Sequence, residues 1–114
     1  IVGFPSETDE DFEDTCALVR HVGFSKIHVF PYSKREGTPA AARADQVPPE
    51  VKAARAARLR ALSDELAAAD RASRAGTVEL ALVETPEVAT TESYHEVAAP
   101  AGADAGSLVP VHLR

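Results

Sequence analysis

Five side chains able to donate hydrogen bonds, Tyr32, Ser33, Lys34, Arg35 and Thr38, fall in one short stretch of this 114-residue chain. The Lys-Arg pair could hold a phosphate or a carboxylate, and Arg can do so through two parallel bonds. Against that, basic pairs on a surface loop are commonly just solvated. Pro31, Gly37 and Pro39 constrain the backbone around these donors. Just ahead lies Ile27 to Phe30, an apolar, β-branched and aromatic run that reads as a buried strand ended by Pro31, which has no N–H to donate. A polar loop at the carboxyl end of a strand in an α/β layer is where ligands usually sit.

The elements that must position this loop are legible on either side. Ile1 to Phe4 reads as a strand stopped by Pro5, with Gly3 allowing close approach to the backbone. Thr8 is a good N-cap, with Asp11 three residues on and Asp9, Glu10 and Asp11 in the first turn, where the helix dipole favours negative charge. Phe12, Cys16 and Val19, flanked by Thr15 and Val22, form one face, and Gly23-Phe24 gives a C-terminal stop. The spacing predicts a helix over Thr8 to Val22 between strands Ile1–Phe4 and Lys26–Phe30, a β-α-β order whose strands run parallel. After the loop, Val51, Leu59, Leu62, Leu66 and Ala69 predict a helix from Pro49 to Ser73, closed by Gly76, with Lys52, Arg55 and Arg58 on another face. Beyond Gly76, Thr77–Val83, Tyr94–Ala98 and Leu108–Leu113 read as short strands of an all-β module.

Charge is uneven along the chain, and its net value of −6 conceals this. Residues 1–19 carry six acidic groups and no Lys or Arg, residues 20–74 eleven basic against six acidic, and residues 75–114 one basic against six acidic. The middle is therefore the part suited to a polyanion. No apolar run approaches the ~20 residues needed to span a bilayer, so a cytoplasmic protein is expected. The single Cys16, on the inward face of a helix, reads as a core thiol and excludes an internal disulfide framework. His21, His28, His95 and His112 are scattered without metal-ligand spacing, and His28, on its strand, reads as a barrel-interior or packing histidine more than as an acid–base group.

The segments IVGFPSETDEDFEDT, FPYSKREGTPAA and DQVPPEVKAARAARLRALSDELA resemble the C-terminal third of the radical-SAM tRNA methylthiotransferases, a MiaB-like family, most of all its threonylcarbamoyladenosine type. The resemblance implies an α/β fold: the last β-α-β-α part of a radical-SAM barrel, a partial TIM barrel, over residues 1–74, then a TRAM-like β-module over 75–114. It implies a longer polypeptide, whose remainder would hold the 4Fe-4S clusters on cysteines absent from this segment. This chain alone is then expected to be inactive, with no catalytic or metal-ligating residue of its own.

Within that resemblance, Gly3, Phe4, Val29, Phe30 and Tyr32 would line the S-adenosylmethionine pocket. Gly3-Phe4-Pro5 can equally be only a tight exit from strand to helix. Lys34, Arg35 and Thr38 would contact the substrate, the anticodon stem-loop of a tRNA, with Lys34 standing where many relatives have proline and Ser6 where many have glycine. Thr91-Glu92-Ser93-Tyr94 resembles a motif written with asparagine in place of Ser93, which suggests Tyr94 as an RNA contact. Packing in a strand is the plainer reading of that tyrosine, and the module's acidity opposes phosphate. The Lys52/Arg55/Arg58 face could track an RNA backbone or be merely solvated. Two other functions stay open: a non-catalytic RNA- or protein-binding module, and part of a ribosomal-protein methylthiotransferase.

Overall fold

The computed structural model describes residues 1–114, which divide into two compact units, Ile1–Leu66 and Ala67–Arg114. The division falls inside a long helix, earlier than the expected boundary at 74–75.

In the first unit, α1 spans Asp9–Val22. Thr8 Oγ1 accepts from the Asp11 amide at 3.0 Å while an Asp11 carboxylate oxygen accepts from the Thr8 amide at 2.9 Å, a reciprocal cap that holds the Asp11 carboxyl below the usual range. Gly23, at φ 69°, ends the helix in the left-handed region, its N–H donating to the Val19 carbonyl at 3.1 Å. Helix α2 spans Pro49–Ser73. Phe12, Cys16 and Val19 of α1 pack with Ala56, Leu59 and Leu62 of α2 and with Val2, and Ile27, Val29 and Leu66 close the edges. Val22, expected beside that face, is exposed.

The two expected strands of this unit reduce to one parallel bridge, Val2 to Pro31. The Val2 amide donates to the Phe30 carbonyl at 3.0 Å and the Tyr32 amide to the Val2 carbonyl at 2.8 Å. The pairing is parallel, as the β-α-β order requires, but it cannot lengthen toward the loop. Gly3, at φ 76°, turns the chain out of the extended region, its amide donates to Glu7 Oε1, and the Tyr32 carbonyl takes the Lys52 ammonium. His28, expected in a barrel interior or in packing, is exposed in this chain.

The second unit is a four-stranded antiparallel sheet of β1 (Val78–Val83), β2 (Val88–Thr91), β3 (Glu96–Ala98) and β4 (Leu108–His112), in the order β3-β2-β1-β4. Ala81 faces Thr91 on one side and Val109 on the other. β2 was not foreseen, and Tyr94 lies outside any strand. Ala81, Val83, Ala89 and Val111 form the core, while Val78, Leu80 and Leu82 on the other face of β1 are exposed, as is Leu108. The end of α2 joins this unit through ion pairs of Arg74 with Asp70 and Glu79 and a hydrogen bond between His95 and Asp70.

Candidate functional site

The loop that follows Pro31 leaves from the carboxyl end of the parallel pair, and the turn after Gly3 leaves from the same end. That turn is Phe4-Pro5-Ser6-Glu7, closed by the Glu7 amide donating to the Phe4 carbonyl at 2.9 Å. Pro5 sets the first corner, and Ser6 occupies the second at φ 75°, a left-handed conformation that suits glycine. The Phe4 and Tyr32 rings meet edge to face, with centroids 5.3 Å apart. Phe4 and Phe30 keep 44% and 61% of their surface exposed. The Tyr32 hydroxyl, by contrast, is buried and has no hydrogen-bond partner. Val29, another of the five expected cofactor contacts, packs its side chain against the core, and Gly3 is itself buried.

Lys34 and Arg35 are exposed and form no ion pair. Thr38 was expected to meet substrate, yet its hydroxyl is engaged within the loop, donating to the Arg35 carbonyl at 2.7 Å and accepting from the Ala41 amide at 3.3 Å. It shapes the turn that presents Arg35. Farther along, Gln46 Nε2 donates to the carbonyls of Ala40 and Arg43, at 2.9 and 3.0 Å.

The basic face of α2 is paired with acidic and carbonyl groups of the chain itself. Arg55 is buried, pairing with Glu7 at 2.7 Å and Asp9 at 2.8 Å, and Arg58 pairs with Glu13. Lys52 donates to the Tyr32 carbonyl at 3.2 Å. The acidic start of α1 therefore neutralises the arginines opposite it, and a helical wheel drawn on α2 alone gives no sign of this. Glu7, Arg55 and Lys52 are the structural residues that sequence reasoning missed here.

Tyr94 stands at the β2–β3 turn, 73% exposed and at φ 66°, so it is a turn residue and not a packed strand residue. Its neighbours Ser93 and His95 belong to a polar network. Ser93 Oγ donates to Glu79 Oε2 at 2.6 Å, Arg74 reaches Glu79 Oε1 at 3.2 Å, and His95 Nε2 meets Asp70 Oδ2 at 2.7 Å. The Ser93 bond, with Thr91 and Arg74 after it, holds the Glu79 carboxyl below its ordinary range, and Arg74 followed by His95 does the same for Asp70.

No three His, Cys, Asp or Glu side chains converge as metal ligands, and burial pushes the Cys16 thiol up. No helix is long and apolar enough to cross a membrane. No protein-family model matches the chain. Among curated proteins, it is 57% identical over 84 residues to the tRNA-2-methylthio-N(6)-dimethylallyladenosine synthase of Methylococcus capsulatus, a match covering 74% of this chain and 18% of that protein. This chain matches a C-terminal part of the tRNA methylthiotransferases. The synthase of the same name from Geobacillus thermodenitrificans is 54% identical over 84 residues, covering 74% of this chain and 16% of the relative. The threonylcarbamoyladenosine tRNA methylthiotransferase MtaB of Bacillus subtilis is 58% identical over 67 residues, covering 59% of this chain and 15% of the relative. The chain thus spans less than a fifth of the length of these methylthiotransferases, and relatives named for two different nucleosides match it about equally well.

Proposed function

We propose that this chain works as the C-terminal part of a tRNA methylthiotransferase, adding a methylthio group to a modified adenosine beside the anticodon. The observation that supports this most strongly is the 57% identity over 84 residues to an enzyme named for that product. In this reading residues 1–74 are the end of a radical-SAM barrel and residues 75–114 a TRAM-like module. The N-terminal remainder of such an enzyme is the partner that completes the site, and its tRNA substrate makes it cytoplasmic. The matching relatives are named for two modified adenosines, N(6)-dimethylallyladenosine and threonylcarbamoyladenosine, and the second is the type that the sequence resembles.

S-adenosylmethionine, when bound, supplies the methyl group and the abstracting radical. Phe4, Phe30, Tyr32 and the backbone of Gly3 and Val29 are the residues proposed to hold it. Exposed rings beside a buried, unpartnered phenol hydroxyl fit a ligand with a planar heterocycle and a hydrogen-bond acceptor. The 4Fe-4S clusters have no ligands here, since Cys16 lies in the core, so they belong to the remainder of the polypeptide.

Lys34 and Arg35, unpaired in the chain, meet the RNA backbone, and Thr38 holds the loop that carries them. Tyr94 is the module's proposed base contact, because an exposed ring at a turn can stack where acidic neighbours would repel phosphate. The test is to replace the matched segment of the Methylococcus enzyme by this chain, express the hybrid in cells lacking their own methylthiotransferases, and quantify both methylthio nucleosides in tRNA by mass spectrometry. Product is expected. A soluble hybrid with full iron content and no methylthio nucleoside would favour the reading as a non-catalytic binding module.

A further inference from the structure

We propose that Lys52 is a positioning residue for the substrate-contact loop, acting through Tyr32. The inference rests on the proposed role of that loop. A Cβ placed on Gly3 would collide with Lys52 Cγ and Cδ, so the lysine stem runs through the space that only a glycine leaves. The ammonium then reaches the Tyr32 carbonyl at 3.2 Å and stands 5.7 Å from the centre of the Tyr32 ring. That carbonyl is the last acceptor before Ser33-Lys34-Arg35.

Each part of the arrangement has a physical cause. The Tyr32 carbonyl would accept the next bond of a lengthening parallel ladder, but Gly3 turns the chain away and leaves it without a strand partner. An unpaired carbonyl in a partly buried place is costly, and a cation satisfies it more strongly than a neutral donor. Half-burying a lysine also costs side-chain freedom, so the contact is more demanding than a solvated lysine. Three residues on, Arg55 holds the other loop through Glu7, whose Oε1 also accepts from the Gly3 amide at 2.9 Å. One stretch of α2 therefore fixes both loops that leave the parallel pair, Arg55 the turn after Gly3 and Lys52 the loop after Tyr32. Neither residue faces outward to a ligand. Lys52 acts by setting where the chain leaves Tyr32, and so where Lys34 and Arg35 point.

Two measurements test this separately from the function of the whole enzyme. In the 114-residue chain, nuclear Overhauser contacts between the Phe4 and Tyr32 rings are expected to vanish in Lys52→Met while those among Phe12, Val19 and Leu59 persist. Persistence of the ring contact in Lys52→Met overturns the proposal. In the hybrid enzyme, Lys52→Met is expected to raise the KM for an anticodon stem-loop about tenfold with kcat within about twofold, and Lys52→Arg to restore most of the loss. A KM unchanged by Lys52→Met, or a loss that Lys52→Arg does not restore, also overturns it. If the unmutated hybrid makes no methylthio nucleoside, the proposed function falls, and the ring contact alone decides the role of Lys52.

Discussion

Arg55 Nη1 lies 2.7 Å from Glu7 Oε1, with the two side chains withdrawn to 8% and 13% exposure. The same guanidinium group also donates to the Glu7 carbonyl at 3.0 Å. Breaking a buried pair leaves a charge without compensation, whereas an exposed pair trades its partner for water. Arg55→Ala should therefore destabilise the first unit by roughly 3–5 kcal/mol. Arg58→Ala, which removes the exposed pair with Glu13, should have a much smaller effect. Urea unfolding of the 114-residue chain compares them, and equal destabilisation would contradict the assignment.

Ser6 bears the left-handed corner of the Phe4–Glu7 turn at φ 75°. Glycine adopts that conformation freely, while a residue with a Cβ is strained there by roughly 1–2 kcal/mol. Ser6→Gly should raise the urea midpoint of the first unit without altering its helical circular dichroism. A lowered midpoint would show that the serine side chain contributes something the turn geometry does not require.

In the second unit, the depressed carboxyls of Glu79 and Asp70 make stability depend on pH in one direction. A carboxyl whose folded pKa lies below its unfolded value stabilises the fold above the unfolded value and loses that contribution as pH falls through the folded one. The sheet should therefore weaken on acidification below the ordinary carboxylate range. Glu79→Gln should be less stable than the parent at neutral pH and should lose less on acidification. Amide exchange at Ala81 and Ala89 reads this locally, and an unchanged acid response in Glu79→Gln would contradict it.

The helices were legible because their signals are local. Thr8, Asp11, Gly23 and the Pro48-Pro49 entry each act within one turn, and the observed ends of both helices agree with them. What the sequence left hidden depended on partners elsewhere in the chain. β2 is only Val88-Ala89-Thr90-Thr91, and its pairing is set by register against β1. The alternation of β1 was readable, but not that Glu79, Ala81 and Val83 face inward while Val78, Leu80 and Leu82 stay exposed. Glu79 is tolerated inside because Ser93 and Arg74, both outside β1, satisfy it. The same holds for the site: Lys34 and Arg35 could be named from the loop alone, whereas the neutralisation of Arg55 and Arg58 by α1 could not.

That difference between paired and unpaired cations has its own consequence. Removing one cation that neutralises a phosphate should reduce the slope of log affinity against log salt by roughly 0.7–0.9. In the hybrid enzyme, Lys34→Ala and Arg35→Ala should each flatten the dependence for an anticodon stem-loop by about one such step. Arg58→Ala should change it less, because Arg58 is already paired with Glu13. A slope equally sensitive to Arg58 would return the α2 face to the RNA interface.

The most direct test of the central claim, that the loop leaving the parallel pair meets the substrate, is the methylthio nucleoside content of tRNA made by the hybrid enzyme carrying Arg35→Ala. The account predicts that methylthiolation falls about tenfold relative to the unmutated hybrid, a reduction of order 1.4 kcal/mol, while iron content is unchanged. Full modification by Arg35→Ala would contradict it.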